Sequence, residues 1–365
     1  MNFLILDNYY RNFLSSFYSS LPSIGEMDFD SHRELLMGQR FGTSDAYSYN
    51  LKKLGYDAQE IVTNDDILQL KWAKENQIKF IKTPESVNRV FNKFGYNWRY
   101  GIIKSQIEKI KPDILYIQEG NILSDKFISK LKPMVKLIVG QVASSIPSYR
   151  TYESYDLVLT PLPHFIERFS KKGIKSEHFQ LAFDERVLKE IGPTEPIFNS
   201  TFVGGISKVH TNRYELINTL SERTTLELFG YGKDSLLMDS KAYIRHHGDA
   251  WGLEMYRTLA KSKITLNCHE SIAGNYASNM RLFEATGMGT CLITDWKDNL
   301  PNIFEPDIEV AIYRSLDELV EKVNYLLENE AERAKISKAG QKRTLKEHTF
   351  HNRIKELLNI IDDYL

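Results

Sequence analysis

Cysteine is nearly absent: the 365 residues hold two, Cys268 and Cys291. Two thiols cannot make the disulfide framework of a small secreted domain, and on apolar stretches they read as core residues. Long hydrophobic runs are absent too, and none approaches the roughly 20 residues a membrane-spanning helix needs. The first residues, MNFLILDNYY, lack a positive leader region and meet Asp7 early, so they read as a β-strand and the expected location is cytoplasmic. No charge of one sign dominates, because Lys plus Arg is 47 and Asp plus Glu is 48, a net charge of −1. That balance excludes a general binder of nucleic acid or anionic membrane. Internal repeats and low-complexity segments are also missing.

What is present is a 42% hydrophobic chain long enough for two domains of about 150 residues each. Short apolar runs at 3–6, 112–120, 135–144 and 155–160 read as buried parallel strands. Helical spacing lies between them, for example Tyr100, Ile103, Ile107 and Ile110. Thr43, Ser44 or Asp45 caps a helix that Gly55 closes. The aromatic, Ser-rich stretch up to Phe41 has no assignable period. After a Pro-containing, charge-rich linker at 185–197, alternation resumes with strands at 199–204, 225–229, 263–267 and 290–294. Residues from Leu316 onward are nearly all helical. The expectation is α/β: two doubly wound Rossmann-like domains facing a cleft, residues 1–184 and 198–347. The last helix, 348–365, carries an apolar stripe from Phe350 to Ile361 and should return to the N-terminal domain.

In open α/β sheets, ligands bind beyond the carboxyl ends of the strands, so the residues after each strand are the candidates. In the C-terminal half, Asn267 and His269 end one strand, and Asn279, Arg281 and Glu284 lie on the early turns of the following helix. Backbone N–H groups at such a helix start suit phosphate or carboxylate. Gly204 and Gly205 end another strand, where backbone can approach a phosphate closely. Lys208 and Arg213 follow, and can supply positive charge to a phosphate there. In the N-terminal half the strand ends offer Asp7, Gln118, Glu119 and Gln141, with Glu119 able to act as a general base toward a hydroxyl. His246 and His247 lack carboxylate or thiol partners at ligand spacing, so no metal site is expected. Asp28 and Asp30 fall in the stretch without assignable period and carry no metal reading.

The segment KITLNCHESIAGNYASNMRLFEATGMGTCLITDW (263–296) resembles the C-terminal domain of GT-B glycosyltransferases, and more closely their CgeB-like branch, through Asn279, Arg281, Phe283, Glu284, Ala285, Gly287 and Gly289. The stretch 251–270, the tail from Leu316 through Gly340 to Arg353, and residues 41–73 are similar as well. The resemblance implies a metal-independent hexosyltransferase that uses a nucleoside-diphosphate sugar as co-substrate, with no further cofactor. It also implies retention of anomeric configuration, an acceptor of unknown class, and no nucleic-acid partner. It assigns Glu284 to the ribose hydroxyls, and an Arg and a Lys of the 202–217 turn to the diphosphate. One departure is Tyr276, which stands where many retaining members place a Glu eight residues before the ribose-binding one. Another is Gln141, near a position where such enzymes often carry His. An inactive binding or structural protein and a sugar-nucleotide epimerase are the competing expectations, since a shared fold does not decide activity.

Overall fold

The computed structural model describes residues 1–83, 97–206 and 211–365. Its contacts divide the chain into two units, Met1–Gln180 with Ile354–Leu365, and Leu181–Arg353. The first holds a parallel sheet of β1 (Asn2–Asp7), β2 (Asp57–Val62), β3 (Ile114–Ile117), β4 (Leu137–Gln141), β5 (Leu157–Thr160) and β6 (Ser176–His178). Their order is β2-β1-β3-β4-β5-β6. Every residue of β3 and β4 is buried, which is why these strands are mostly apolar runs and do not alternate with polar residues. The C-terminal segment is tied into this unit where the Tyr364 hydroxyl donates to Glu177 at 2.8 Å.

The second unit repeats the architecture with β7 (Phe198–Val203), β8 (Leu226–Phe229), β9 (Ser262–Asn267), β10 (Cys291–Asp295) and β11 (Ala311–Tyr313), all parallel, in the order β11-β10-β9-β7-β8. In both sheets the order reverses beside the first strand, between β1 and β3 and between β7 and β9. Those reversal points are where the carboxyl ends of neighbouring strands splay and leave a crevice.

The aromatic stretch without assignable period is helical, with helices Arg11–Ser19 and Phe29–Met37. Its aromatics form a packed cluster, in which Phe13 stacks on Phe41 with ring centroids 4.0 Å apart. Asp28 is the N-cap of the second helix and accepts from the Ser31 N–H at 2.8 Å. Strands β6 and β11 span three residues each, too short for a period to show. Two expectations are corrected locally. The helix expected to carry Asn279 on its early turns begins at Arg281 and has seven residues, so its dipole is short. Cys268 lies one residue beyond β9 and is half-buried, whereas Cys291 is fully buried on β10.

Candidate functional site

In the second unit the polar side chains gather at the carboxyl ends of β7, β9 and β10, at the reversal point. Gly204 and Gly205 carry the chain out of β7. The space above Gly205 is taken by the Tyr231 ring, so a Cβ there would collide with the phenol. Gly230 and Gly232 lie in the left-handed region and press on the Gly204 and Ile206 backbone, leaving no room for a side chain. This glycine-lined turn feeds the helix Thr211–Arg223.

Arg213 sits in the first turn of that helix with its side chain 11% exposed. It donates to the Gly205 carbonyl at 2.9 Å and meets the half-exposed Glu270 carboxylate at 3.5 Å. Its guanidinium also covers the Phe202 ring, 5.7 Å from the centroid. Its Nε is buried without a hydrogen-bond partner among the described residues. Lys208 lies outside the described residues.

Across the crevice, the Asn267 and Asn279 side-chain amides pair reciprocally, at 2.6 and 3.3 Å. Asn267 also donates to Thr294 at 2.9 Å. Arg281 is held between the Glu284 carboxylate, at 2.8 Å, and the Val203 carbonyl, at 3.0 Å. Burial pushes Glu284 above its ordinary value, and the Arg281 charge pulls it partly back. His269 donates from Nδ1 to Asp295 at 2.6 Å, since an ionised carboxylate only accepts. Lys297 reaches the other Asp295 oxygen at 3.3 Å. Burial tends to raise Asp295, but the His269 hydrogen bond and the His269 and Lys297 charges outweigh it and hold the carboxyl below its usual range. The structure thus brings Gly204, Gly205, Arg213, Asn267, His269, Asn279, Arg281 and Glu284 to one end of one sheet. Glu270, Asp295 and Lys297 complete the cluster and were not singled out from the sequence. Asp295 lies at the end of an apolar strand, a signal that position after β10 could have supplied.

The first unit gathers its polar residues at the same end of its sheet, but with different chemistry. Burial, reinforced by the Glu119 charge and opposed by the Asn8 N–H, pushes the Asp7 carboxyl up to about 7. Glu119 is likewise raised, by burial, against hydrogen bonds from Ser144 and Asn121. Gln118 accepts from Thr43 at 2.6 Å, and its amide nitrogen is buried without a partner. Gln141 faces the core, where it accepts from Tyr116 at 2.7 Å and Tyr47 at 3.2 Å. Arg150, not anticipated, is buried and gathers the Gly120 and Leu123 carbonyls together with Asp125. A cavity of about 450 Å³ opens beside β1 and β2, lined by Asn8, Arg11, Thr63, Asp65 and Arg99 among others. Among the described residues no group of three or more His, Cys, Asp or Glu could hold a metal ion, and no helix is long and apolar enough to cross a membrane.

Residues 213–359 match the model of a family described as glycosyl transferase-like. No curated protein sequence matches the chain. Among solved structures, sucrose-phosphate synthase from Thermosynechococcus elongatus is similar, with a TM-score of 0.60 and 11% identity over 100% of this chain and 98% of that one. The Anabaena protein HepE, solved in complex with UDP-glucose, matches with a TM-score of 0.60 and 11% identity over the whole of both chains. A Listeria monocytogenes protein provisionally described as a UDP-N-acetylglucosamine 2-epimerase matches with a TM-score of 0.52 and 12% identity, over 100% of this chain and 96% of that one. At such identities the likeness shows the fold, which is GT-B.

Proposed function

We propose that the protein is a GT-B glycosyltransferase that moves a hexose from a nucleoside-diphosphate sugar to an acceptor. The observation that carries this reading is Arg213. Its guanidinium is largely withdrawn from water at the reversal point of the second sheet, beside a glycine-lined turn, and opposed by a half-exposed carboxylate where a phosphate would bind. The family match begins at this residue and supports the same reading.

In the reaction, negative charge grows on the diphosphate as the glycosidic bond breaks. A fixed guanidinium acts on that charge more strongly than on the ground state, so it accelerates the step rather than merely tightening binding. Lys208 would add a second charge to the same leaving group, in place of a metal ion. Glu284 would accept hydrogen bonds from the ribose hydroxyls, and Asn267, Asn279 and Arg281 would hold the remainder of the donor. In the first unit Glu119 would take the acceptor hydroxyl's proton, with Asp7 beside it. Retention of configuration and the CgeB-like subfamily rest on the sequence resemblance.

The test is incubation with a panel of nucleoside-diphosphate sugars and assay of free nucleoside diphosphate. Slow donor hydrolysis, accelerated by an acceptor, supports the transferase. Isomerised sugar nucleotide without release would favour the second reading, an epimerase, which the Listeria relative makes worth measuring. Neither outcome would leave a binding protein.

A further inference from the structure

Among the described residues, the lining of the cavity beside β1 and β2 lies wholly within the first unit. The cavity opens at the sheet end that carries Glu119. Asn8, which follows Asp7, lines it, and so does Ile122, whose N–H is bonded to the Glu119 carbonyl at 3.0 Å. Its volume of about 450 Å³ falls within the roughly 300–1,000 Å³ that small-ligand sites occupy. Two helices begin at this cavity, Asp66–Glu75 and Trp98–Ile110, and both N-termini are already capped. Asp65 accepts from the Leu68 N–H at 3.0 Å, and Asn97 from the Arg99 N–H at 3.0 Å. A helix start that carries its own carboxylate has little left to offer an anion, which argues against a phosphate site.

Asp65 is 1% exposed and is held in place by two further side chains. The Tyr18 hydroxyl donates to its two oxygens at 2.7 and 2.6 Å, and His32, fully buried, stands 3.0 Å from the Tyr18 oxygen. Since the Tyr18 proton points to Asp65, His32 donates from Nε2. The hydrogen-bonding capacity left around the cavity is of both kinds. Asn8 accepts from Thr63 at 2.5 Å through Oδ1, and its N–H pair is unused among the described residues. Arg99 gives its Nε to Asp66 at 2.6 Å, which leaves its Nη groups as donors and the second Asp66 oxygen as an acceptor. On Asp65, two donors occupy about half of the roughly four lone-pair sites of a carboxylate. A group that both donates and accepts is a hydroxyl, and a small ligand carrying several of them is a sugar. Leu14, Ile103 and Leu123 add apolar surface for the C–H faces of its ring. A phosphate only accepts and would meet the Asp65 and Asp66 carboxylates, and an alkyl chain would leave these polar groups unpaired.

We propose that this cavity binds the acceptor of the transfer, and that the acceptor is an uncharged sugar whose hydroxyls pair with Asn8, Asp65, Asp66 and Arg99. The inference rests on the transferase reading above and names the class of its acceptor. One further hydroxyl faces Glu119. Its oxygen forms the new bond to the anomeric carbon, and its proton passes to Glu119. The nucleoside diphosphate leaves with the electron pair of the broken glycosidic bond.

The experiment has two arms on the full chain. In the first, saturation-transfer NMR without donor measures binding of the methyl α- and β-glycosides of glucose, galactose and mannose. Glucose 1-phosphate, a Ser/Thr-containing peptide and octanol are the comparison ligands. In the second, the same compounds are added to the panel of nucleoside-diphosphate sugars, and release of nucleoside diphosphate is followed. The expected result is that at least one glycoside binds and accelerates release, while the comparison ligands do neither. Asp66→Asn should raise the KM for that glycoside about tenfold and Asn8→Ala about threefold, with kcat at saturating glycoside changed less. Thermal unfolding of the variants separates this from a general loss of structure, which would lower kcat as well. Absence of glycoside binding, or binding equal in both variants and the natural chain, would overturn the site. Acceleration by the sugar phosphate, the peptide or octanol in place of any glycoside would overturn the acceptor class and leave the transferase standing. Glycoside binding with no release from any donor would overturn the transferase reading and with it the acceptor role, but not the sugar site.

Discussion

The two sheets end in polar clusters built on opposite electrostatic plans. In the second unit Arg213, Arg281 and Lys297 each lean on a carboxylate, and the glycines of the turn are packed by the Tyr231 ring and by neighbouring backbone. In the first unit, Asp7 and Glu119 at the sheet end and Glu60 within β2 are desolvated, with hydrogen bonds but, among the described residues, no adjacent salt bridge, and burial pushes all three toward the neutral acid. Paired charges can be opened by an incoming anion, whereas lone buried carboxyls handle protons or bind hydroxyls. The same fold thus carries paired charges at one sheet end and unpaired carboxyls at the other, through which partner each acid was given.

That contrast breaks most visibly at Arg213. Replacing it with Ala should lower donor hydrolysis or transfer by about two to three orders of magnitude, with Arg213→Lys recovering part, because Lys keeps the charge without the planar fork. Steady-state rates measured beside donor affinity will decide, and unchanged rates would move the role to another cation.

The carboxyl plan is tested through Glu60, 1% exposed and bonded to the Ser48 N–H and hydroxyl at 2.7 and 2.5 Å. Burial pushes it from 4.5 up to about 7 in the folded chain. The folded state then holds its proton more tightly than the unfolded one, so this stabilisation is present at acid pH and lost as pH rises from about 4.5 to 7. At 1.36 kcal/mol per unit the loss is on the order of 3 kcal/mol. Glu60→Gln should flatten that decline, which denaturant melts at pH 5 and pH 8 will show. A variant that declines as steeply as the natural chain would locate the effect elsewhere.

Glu284→Ala should weaken nucleotide binding by about 1.5–3 kcal/mol, the range for hydrogen bonds to a charged group. Calorimetry on the folded variant measures it, and equal affinities would mean that the carboxylate serves only Arg281. The smallest expected effect is at Asn279. Its loss to Ala removes the reciprocal amide pair but leaves Asn267 bonded to Thr294, so about 1 kcal/mol of stability should disappear. Thermal unfolding of the variant checks that figure.

The sheets were legible because buried parallel strands write themselves as apolar runs, and helices as spacing on one face. The aromatic stretch between the first strand and Phe41 was not, since its aromatics face several directions into one cluster and hide the helical period. Strand-end position placed Asn267 and His269 at the second sheet, and the helices that follow its strands brought Arg213 and Glu284 to the same end. The same rule placed Gln141 at a strand end, yet its side chain turns into the core toward Tyr47 and Tyr116. Sequence position does not reveal which way a side chain at the end of a buried strand leaves the sheet.

Local order along the chain was sufficient to determine two α/β halves, the strand ends where polar residues collect, and which residue types collect there. Tertiary structure alone decided how they pair. Asp295 lies 26 residues from His269 and Glu270 lies 57 from Arg213, and only the parallel register of β10 beside β9 and β9 beside β7 brings them within reach. The charge balance of each cluster, and hence the chemistry it can perform, depends on those long-range partners, because an ionisable group's behaviour is set by what stands within a few ångströms of it.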